Sequence, residues 1–382
     1  MKESVKNKLK VAILIRNFSG TSGGAEKYCL ETSKILAKKF DLHIFCQDYD
    51  EKIDSINIHR IPKLINRPRF LNQIFFSFYT KFLTKNFEIV HSHDIVTHAN
   101  VYSIHVFPFR KVFSSLISRI IYFSKTFISI RKLSYFYIEK KAYDLNTNKQ
   151  FISVSKLLSK KISETYPNVF ERINIAYPGI SQVNSHEDSP FDSKLCSKLD
   201  LIKSKYEFVI LFIAHNFIRK GLKTLIDAIE SINDTSIGLI VIGSGDKNKL
   251  KISKYESRSN MHFFGKVSKV DLVFNYADLV VHPTLEDTYG MASLEALAHG
   301  VPLIVSSEQY CGLAETLSSK EALILSNPRD IKELRSKIIL VKDNKKLKLE
   351  LSKNGQKKST ELSWLSCANS IENTYKKILS EK

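Results

Sequence analysis

Cysteine, long apolar runs and, over two stretches, acidic residues are scarce in this 382-residue chain. Its five cysteines are scattered without a C-x-x-C pair, which argues against a disulfide framework or a cysteine-based zinc site and indicates reduced thiols. The longest stretch without Asp, Glu, Lys or Arg is 95–109, too short and too polar for the roughly 20 apolar residues of a membrane-spanning helix. The charged segment Met1–Lys10 lacks the apolar core of a signal peptide. We therefore expect a cytoplasmic protein that meets a membrane only from one side.

Acidic residues are absent from Ser55–Phe87 and Val106–Ile138, in a chain whose formal net charge is +19. Both stretches interleave bases with aromatic and aliphatic residues, as interfacial helices at an anionic membrane do. The alternatives are a solvated basic face over core aromatics, or a nucleic-acid site. No nucleic-acid motif accompanies the charge, so we expect an anionic membrane surface and no nucleic acid as partner. The bases are Arg60, Lys63, Arg67, Arg69, Lys81, Lys85, Arg110, Lys111, Arg119, Lys125, Arg131 and Lys132.

Apolar runs alternate with amphipathic stretches along both halves of the chain, which predicts two α/β domains with parallel sheets. Lys10–Arg16 is expected as a buried strand before a helix, and Phe208–Ala214 as the first strand of the second half, in which Leu279–His282 is a later strand. The polar segment Ser181–Ser193 is expected to link the two domains. Domains of this kind bind ligands at the carboxyl ends of their strands, in a cleft between them.

Two turns have the composition of a phosphate site. Ser19–Gly24 follows the first strand and opens a helix, so backbone N–H groups and the helix dipole favour an anion there, although such a turn needs glycine in any case. Arg219 and Lys220 precede Gly221 at a predicted helix start. An arginine fork, a lysine point charge and a helix N-terminus together suit a diphosphate, although a surface Arg-Lys pair is commonplace.

The segment His282–Pro302 (HPTLEDTYGMASLEALAHGVP) carries the strongest pattern. Asp287 lies in a predicted loop and Glu295 along the helix that follows, so the two carboxylates can hold opposite ends of an extended polar ligand. The backbone amides of Thr288–Met291 lie between them and can bind an anionic middle. The alternative is a pair of solvated acids.

These segments resemble the retaining nucleotide-sugar glycosyltransferases of family 4, which have the GT-B fold. The resemblance implies two Rossmann-like domains facing across a cleft: 1–180 for the acceptor and 181–358 for the nucleotide sugar. It also implies a C-terminal helix, 359–382, that crosses back to the first domain. The spacing of IAHNFIRKGLKTLIDAI is most similar to that of members that build the lipopolysaccharide core. The matching segments are Gly23–Glu26, Ile89–His93, Phe151–Ser155, Tyr177–Ile180, Arg219–Gly221, Ile242–Gly245, His282–Pro302 and Ser363–Trp364.

The resemblance also implies roles for single residues. Arg219 and Lys220 match the residues that neutralise the diphosphate, and Glu295 matches the acid that holds the ribose hydroxyls. Asp287 stands where the family usually has a glutamate facing the donor sugar, so its carboxylate is one methylene shorter, and Glu286 is the alternative. The remaining expected contacts are Gly23 and Gly24 beside the diphosphate and acceptor, His105 beside the transferred sugar, and Thr288, Tyr289, Gly290 and Met291 in the donor loop.

No metal and no other cofactor is expected, since the nucleoside diphosphate sugar is a co-substrate. The histidines at 91, 93, 98 and 105 have no nearby cysteine and no helical H-x-x-x-H spacing. Strand-end packing and hydrogen bonds to sugar are therefore the expected roles of these histidines.

Together with these patterns, the resemblance implies a retaining hexosyltransferase, peripheral on the inner face of the cytoplasmic membrane. Its acceptor would be a lipid-linked saccharide of the lipopolysaccharide core, and the diphosphate would leave from the face that the acceptor attacks. Two alternatives stay open. The same fold can act on a capsule, teichoic or protein acceptor, or the chain can be a donor-binding paralogue without catalysis.

Overall fold

The computed structural model describes residues 8–21, 23–65, 67–110, 129–144, 148–181, 193–245, 255 and 258–381. It divides into an N-terminal unit, formed by residues up to Gly179 together with Trp364–Lys382, and a C-terminal unit, Ile180–Ser363. Most of the expected linker Ser181–Ser193 lies outside the described residues, and so does 111–128 of the second acid-free stretch.

A parallel sheet with the strand order β5-β3-β1-β6-β7-β8-β9 forms the centre of the described N-terminal unit. Its central strands are almost entirely buried and rich in apolar residues, as expected for parallel strands covered on both faces. The elements in chain order are β1 (Lys10–Leu14), β2 (Asn17–Phe18), α1 (Gly24–Leu36), β3 (Asp41–Cys46), β4 (Asp48–Tyr49), β5 (Ile56–Arg60), α2 (Arg69–Leu83), β6 (Ile89–Ser92), β7 (Val101–Ile104), α3 (Ile130–Ala142), β8 (Gln150–Ser153), α4 (Lys156–Thr165), a 3₁₀ turn (Pro167–Arg172) and β9 (Ile173–Ile175).

The C-terminal unit has a second parallel sheet, and its elements continue the series. They are α5 (Ser193–Lys205), β10 (Phe208–Ala214), α6 (Leu222–Ile232), β11 (Ile237–Gly243), β12 (Met261–Gly265), α7 (Val270–Phe274), β13 (Leu279–His282), α8 (Met291–Ala298), β14 (Leu303–Ser306), a 3₁₀ turn (Gly312–Thr316), β15 (Leu323–Leu325), α9 (Ile331–Asp343) and α10 (Lys345–Glu361).

The strand order of this second sheet is β12-β11-β10-β13-β14-β15, so the chain changes direction across the sheet at β10. β10 pairs with β11 on one side and with β13 on the other. In open α/β sheets ligands bind at the carboxyl ends of the strands where the order reverses. The loops that follow β10 and β13 therefore lie next to each other at the expected binding edge.

The final helix, α11 (Trp364–Ser380), belongs to the N-terminal unit, where it packs against α1. The Tyr375 hydroxyl lies 2.7 Å from Nδ1 of His91, and the Trp364 ring meets the edge of Tyr28 at a centroid distance of 5.9 Å. The predicted fold class is confirmed: two Rossmann-like α/β units and a C-terminal helix that returns to the first. Within the described part of the chain, every helix is too short or too polar to cross a bilayer.

Candidate active site

The loop after β10 is fastened to the loop after β13 by backbone contacts. Gly221 has a φ of 77°, and a Cβ there would lie 1.9 Å from the carbonyl oxygen of Pro283, so a side chain at this position would be both strained and obstructed. The Arg219 carbonyl accepts a hydrogen bond of 2.8 Å from the Leu285 N–H. Arg219 and Lys220 are therefore held directly beside the His282–Asp287 segment.

The Asp287 carboxylate lies at the centre of this site. Its Oδ2 accepts hydrogen bonds from Nζ of Lys220 and from Nε2 of His282, the latter at 3.0 Å. The side chains of Lys220 and Asp287 are only 11% and 16% exposed, so the pair is largely removed from solvent screening. Burial by itself raises the pKa of Asp287. The Lys220 charge and the His282 hydrogen bond together lower this pKa by more than burial raises it, so the pKa of Asp287 lies below its ordinary value.

His282 is a neutral donor to this carboxylate. Burial lowers the pKa of His282, and the nearby Lys220 and Arg219 charges lower it as well. Asp287 raises this pKa, but by less than the other effects lower it, so the pKa of His282 lies below its ordinary value. A neutral imidazole can donate to Asp287 only as the Nε2–H tautomer. Asp287 is thus a negative charge held by one cation and one neutral hydrogen-bond donor, while the Arg219 side chain remains exposed.

The loop between Asp287 and α8 is shaped by a second glycine. Gly290 has a φ of 110°, and a Cβ there would lie 2.8 Å from Sγ of Cys311. The Tyr289 carbonyl accepts hydrogen bonds from the Leu313 N–H at 2.7 Å and from the Cys311 thiol at 3.1 Å. Of the predicted donor-loop residues, Glu286 is exposed, Tyr289 and Gly290 are buried, and Thr288, Met291 and Glu295 are half-buried.

His282, Asp287 and Cys311 offer ligand atoms within 4.8 Å of one another, a grouping that the sequence did not suggest. These atoms do not suit a metal ion. The Lys220 ammonium already contacts the Asp287 oxygen, and burial raises the pKa of the Cys311 thiol to about 12, so a thiolate ligand is not available near neutral pH.

A pair of acids at positions 48 and 50 was also missed from the sequence, although D-x-D spacing can hold a metal-bound diphosphate. Asp50 accepts hydrogen bonds from the Ser19 and Thr21 hydroxyls of the glycine-rich turn. Asp48 lies 3.4 Å from Nζ of Lys63. Both carboxylates therefore have protein partners, and Asp50 shapes the turn that leads to Gly23 and Gly24.

The predicted N-terminal site residues lie at two places. Gly23 and Gly24 open α1, and Gly23 has an extended φ of 170°, which any residue adopts. His105 follows β7, where its Nε2 lies 3.1 Å from Nδ1 of His93 and its ring meets the edge of Tyr28 at 4.9 Å. Burial lowers the pKa of His105 to about 4, so it is neutral near pH 7.

His91 and His98 have different surroundings. Both nitrogens of His91 have partners, the Tyr375 hydroxyl at 2.7 Å and the Ser103 hydroxyl at 2.8 Å, and burial lowers its pKa to about 3. The ring nitrogens of His98 are buried and have no hydrogen-bond partner among the residues that the structure describes, and burial lowers the pKa of His98 to about 4. His91 is therefore a packing residue of the unit rather than a free ligand.

Comparisons with known proteins agree with this architecture. The family model "Glycosyl transferases group 1" matches residues 199–358, and "Glycosyltransferase Family 4" matches residues 22–182. A glycosyltransferase of Methanocaldococcus jannaschii, MJ1607, is 25% identical over 309 residues, which are 75% of this chain and 77% of that protein. The lipopolysaccharide glucosyltransferase WaaG of Escherichia coli is 29% identical over 154 residues, 39% of this chain and 40% of that protein.

Solved structures show the same fold. The crystal structure of WaaG covers 94% of this chain and 98% of its own, with a TM-score of 0.75 and 18% identity. Anabaena Alr3699/HepE in complex with UDP-glucose covers 97% of this chain and 100% of its own, with a TM-score of 0.72 and 16% identity. Identities this low establish the fold and leave donor and acceptor open.

Proposed function

We propose that this chain, a glycosyltransferase of the GT-B type, moves a hexose from a nucleoside diphosphate sugar to a lipid-linked saccharide, with retention at the anomeric carbon. The observation that carries the proposal is the cationic edge of the second sheet. Arg219 and Lys220 stand at the start of α6, beside the buried Asp287 carboxylate, at the point where the strand order reverses. The cations at this edge can bind the negative charge of a diphosphate, and the carboxylate can accept hydrogen bonds from the hydroxyl groups of a sugar.

In the proposed reaction the bond from the anomeric carbon to the diphosphate oxygen breaks, and the acceptor oxygen bonds to the same face of the sugar. The acceptor proton passes to an oxygen of the leaving diphosphate, so no protein nucleophile is needed. Arg219 and Lys220 would stabilise the charge that develops on the diphosphate, because preorganised cations act most strongly where charge grows in the transition state.

The carboxylates would hold the two ends of the donor. Glu295, half-buried on α8, would accept hydrogen bonds from the ribose. Asp287, or the exposed Glu286, would face the transferred sugar, and Asp287 would also fix the position of Lys220. The similarity to WaaG, named as a lipopolysaccharide glucosyltransferase, supports the lipopolysaccharide core as acceptor.

The donor assignment is tested by adding nucleotide sugars one at a time and recording thermal unfolding, followed by a transfer assay with the donor that stabilises the protein. Arg219→Ala should lower kcat/KM about a hundredfold or more, because one lost contact at a developing anion costs about 2.7–4 kcal/mol. NMR should show a product whose anomeric configuration matches the donor.

Lys223→Ala is the matched control, because Lys223 lies on the same helix with its cation on the surface, paired with Asp227. It should retain wild-type kinetics. Near-normal kcat/KM in Arg219→Ala would remove this arginine from the mechanism, and an inverted product would refute retention.

The membrane partner is supported by helix α2, which exposes large apolar side chains. Its buried side carries Phe76 together with polar residues: Asn72 and Gln47 exchange two side-chain hydrogen bonds of 2.8 Å, and Gln73 donates to the Ile95 carbonyl at 2.6 Å. Its outer side carries Phe78 and Phe82, which are 66% and 65% exposed. A helix with satisfied polar groups inside and phenylalanines outside is suited to a lipid surface.

Basic residues accompany the exposed phenylalanines. Lys81 and Lys85 are exposed on the same side of this segment, and Nζ of Lys85 lies 5.0 Å from the centre of the Phe82 ring. Lysines beside inserted aromatics favour anionic lipid headgroups. We therefore propose that α2 contributes to attachment at the inner face of the cytoplasmic membrane. The part played by 111–128, outside the described residues, stays a prediction from the sequence.

Vesicle sedimentation tests this attachment. Wild type should bind vesicles containing anionic lipid and ignore neutral ones, and Phe78→Ser/Phe82→Ser should bind at least about tenfold more weakly, since burying one phenylalanine contributes about 1.5–3 kcal/mol. Phe170→Ser/Leu365→Ser removes equally exposed apolar groups elsewhere in the same unit, 65% and 58% exposed, and should bind like wild type. Equal losses in both double variants would contradict a specific role for α2.

A further inference from the structure

The N-terminal unit contains a cavity of about 1110 Å³. The cavity lies among the ends of β6 and β7 and the starting residues of α2 and α3, and the donor chemistry described above does not use it. Small-molecule sites usually measure about 300–1,000 Å³. The cavity is thus large enough for a ligand with more than one chemical part.

Four cationic side chains line this cavity without a carboxylate partner among the described residues: Arg67, Arg69, Arg131 and Lys132. They come from two segments, the start of α2 and the start of α3. A fifth cation, Arg16, is paired with Asp94 at 2.7 Å. Arg67, Arg69 and Arg131 are exposed and Lys132 is half-buried, and all four line the same cavity. Several cations along one cavity favour an anion of more than one charge, such as a phosphate or a diphosphate.

The carboxylates at the cavity wall do not cancel these charges. Asp94 is taken by Arg16 and also accepts a hydrogen bond of 2.8 Å from the Arg16 N–H. Glu139 is 1% exposed and accepts hydrogen bonds from the backbone N–H of Phe109 at 2.6 Å and from the Tyr166 hydroxyl at 2.7 Å. The lining therefore holds five cationic side chains and these two carboxylates, so its formal charge is positive.

Much of the remaining wall is aromatic and aliphatic. Phe151 stacks on Tyr102 and on Tyr143 at centroid distances of 5.7 and 5.2 Å, and Phe109 lies 6.0 Å from Tyr135. A free phosphate gains nothing from such a wall, whereas an apolar chain gains free energy from burial there. The neutral side chains of His93 and His105 also line the cavity and can hydrogen-bond to hydroxyl groups.

We propose that this cavity binds the acceptor through its phosphate group and the first part of its apolar anchor, with Arg67, Arg69, Arg131 and Lys132 on the phosphate. The proposal rests on the proposed function and makes it more specific, because the acceptor becomes a phosphorylated amphiphile rather than any lipid-linked saccharide. Its saccharide end would lie toward His93 and His105. A prenyl diphosphate and a phosphorylated acyl glycolipid share this chemistry.

Equilibrium binding to the full-length protein tests the site. The nucleoside diphosphate of the donor found in the thermal-unfolding screen is present at saturation, so that the probes do not occupy the donor site. The probes are farnesyl diphosphate, farnesol and inorganic diphosphate. Farnesyl diphosphate should bind at least about tenfold more tightly than either other probe, because each of those lacks one half of the recognised structure. Lysophosphatidic acid, run in parallel, distinguishes an acyl phosphate from a prenyl diphosphate as the preferred anchor.

Arg131→Gln/Lys132→Gln should raise the Kd for farnesyl diphosphate about tenfold or more, and Arg67→Gln/Arg69→Gln should do the same, because each removes two charge-assisted contacts. Lys38→Gln/Lys160→Gln removes two exposed lysines of the same unit that do not line the cavity and should leave the Kd unchanged. Unchanged thermal unfolding of each variant would show that it folds.

The cavity proposal would be overturned if farnesol bound as tightly as farnesyl diphosphate. It would also be overturned if the cavity variants bound farnesyl diphosphate with the same affinity as wild type. Sugar transfer with a wild-type acceptor KM in the Arg131/Lys132 variant would also overturn it while leaving the proposed function intact. Charge-dependent binding of farnesyl diphosphate in a protein that transfers no sugar would support the cavity and refute the proposed function.

Discussion

The ion pair between Lys220 and Asp287 provides a sharp test of the candidate site. Asp287→Asn keeps the size of the side chain and removes its charge, which leaves the Lys220 ammonium with no counter-charge where its side chain is 11% exposed. Removing one partner of a buried pair costs about 3–5 kcal/mol. Because these two side chains retain some contact with solvent, we expect the loss of stability to be at the lower end of this range, about 3 kcal/mol.

In a unit of this size each 1 kcal/mol shifts Tm by about 2–4 °C, so Asp287→Asn should lower the Tm of the C-terminal unit by about 6–12 °C. Thermal unfolding of the full-length protein measures the shift, and the transition raised by the nucleoside diphosphate of the donor found in the screen identifies the unit. Affinity for that nucleoside diphosphate should not fall, because the substitution removes a negative charge from beside the proposed diphosphate site, whereas sugar transfer should be lost.

The matched control is Asp227→Asn, which removes the acid of the Lys223–Asp227 pair on the outside of α6, where Lys223 is 62% exposed. Surface pairs of this kind contribute about 0–1 kcal/mol, so the control should lose at most about 4 °C. Equal Tm values for Asp287→Asn and wild type would refute the reasoning, because Lys220 would then not depend on Asp287.

Two further predictions concern the backbone of the donor site and the buried histidines. In thermal unfolding, Gly221→Ala should lower the stability of the C-terminal unit by about 1–3 kcal/mol more than Gly265→Ala does. Both glycines have a positive φ, but only at Gly221 would the new Cβ meet a carbonyl oxygen, that of Pro283. Equal losses of stability in the two variants would contradict the close approach of the two loops. Lowering the pH below about 6.5 should reduce the free energy of unfolding of the N-terminal unit by about 1.4 kcal/mol per pH unit for each histidine that stays neutral when folded. The reason is that His91 and His105 have pKa values of about 3 and 4 in the folded protein, so the unfolded chain binds the protons first. Urea denaturation between pH 7.5 and 5 should show a smaller dependence on pH in His91→Gln than in wild type, and a wild-type free energy of unfolding that does not change with pH would contradict the neutral state of these histidines.

The strands were the part of the fold that the sequence predicted best. Phe208–Ala214 and Leu279–His282 were predicted with the bounds they have in the structure, because polar or glycine-containing segments bound these buried apolar runs. The loops that carry Arg219, Lys220 and Asp287 were found because glycines and charged residues follow directly after these strands. Local sequence is sufficient to predict a strand where an apolar run and the residues that end it determine the structure.

The pairings within the site depend on topology instead. Lys220 and Asp287 are 67 residues apart, and they meet only because β10 and β13 are neighbours while β11 and β12 lie on the other side. The sequence showed Asp287 as a sugar contact and gave no reason to connect it with Lys220. His282 was interpreted as the end of a strand, although it donates to the same carboxylate.

Helix α2 could not be predicted from its pattern for a different reason. Its bases and aromatics were recognised as a membrane-like composition, but periodicity alone does not tell which side of a helix faces the core. The usual rule would have buried Phe78 and exposed Asn72. The structure has the opposite arrangement, and Asn72 forms its hydrogen bonds with Gln47, the residue directly after β3. The cavity of the N-terminal unit was also missed, since its walls come from segments far apart in the sequence.

The position of α11 has a consequence for the order in which the protein is made. The N-terminal unit needs this helix to complete its interior, because Tyr375 supplies a partner for His91 and Trp364 packs on Tyr28. The ribosome, however, synthesises the whole C-terminal unit before α11, and domains generally fold as they emerge. The unit whose residues are made first must therefore wait, with part of its interior uncovered, until after the second unit has been synthesised. A nascent chain arrested before Trp364 should consequently contain a folded second half and an incomplete first half.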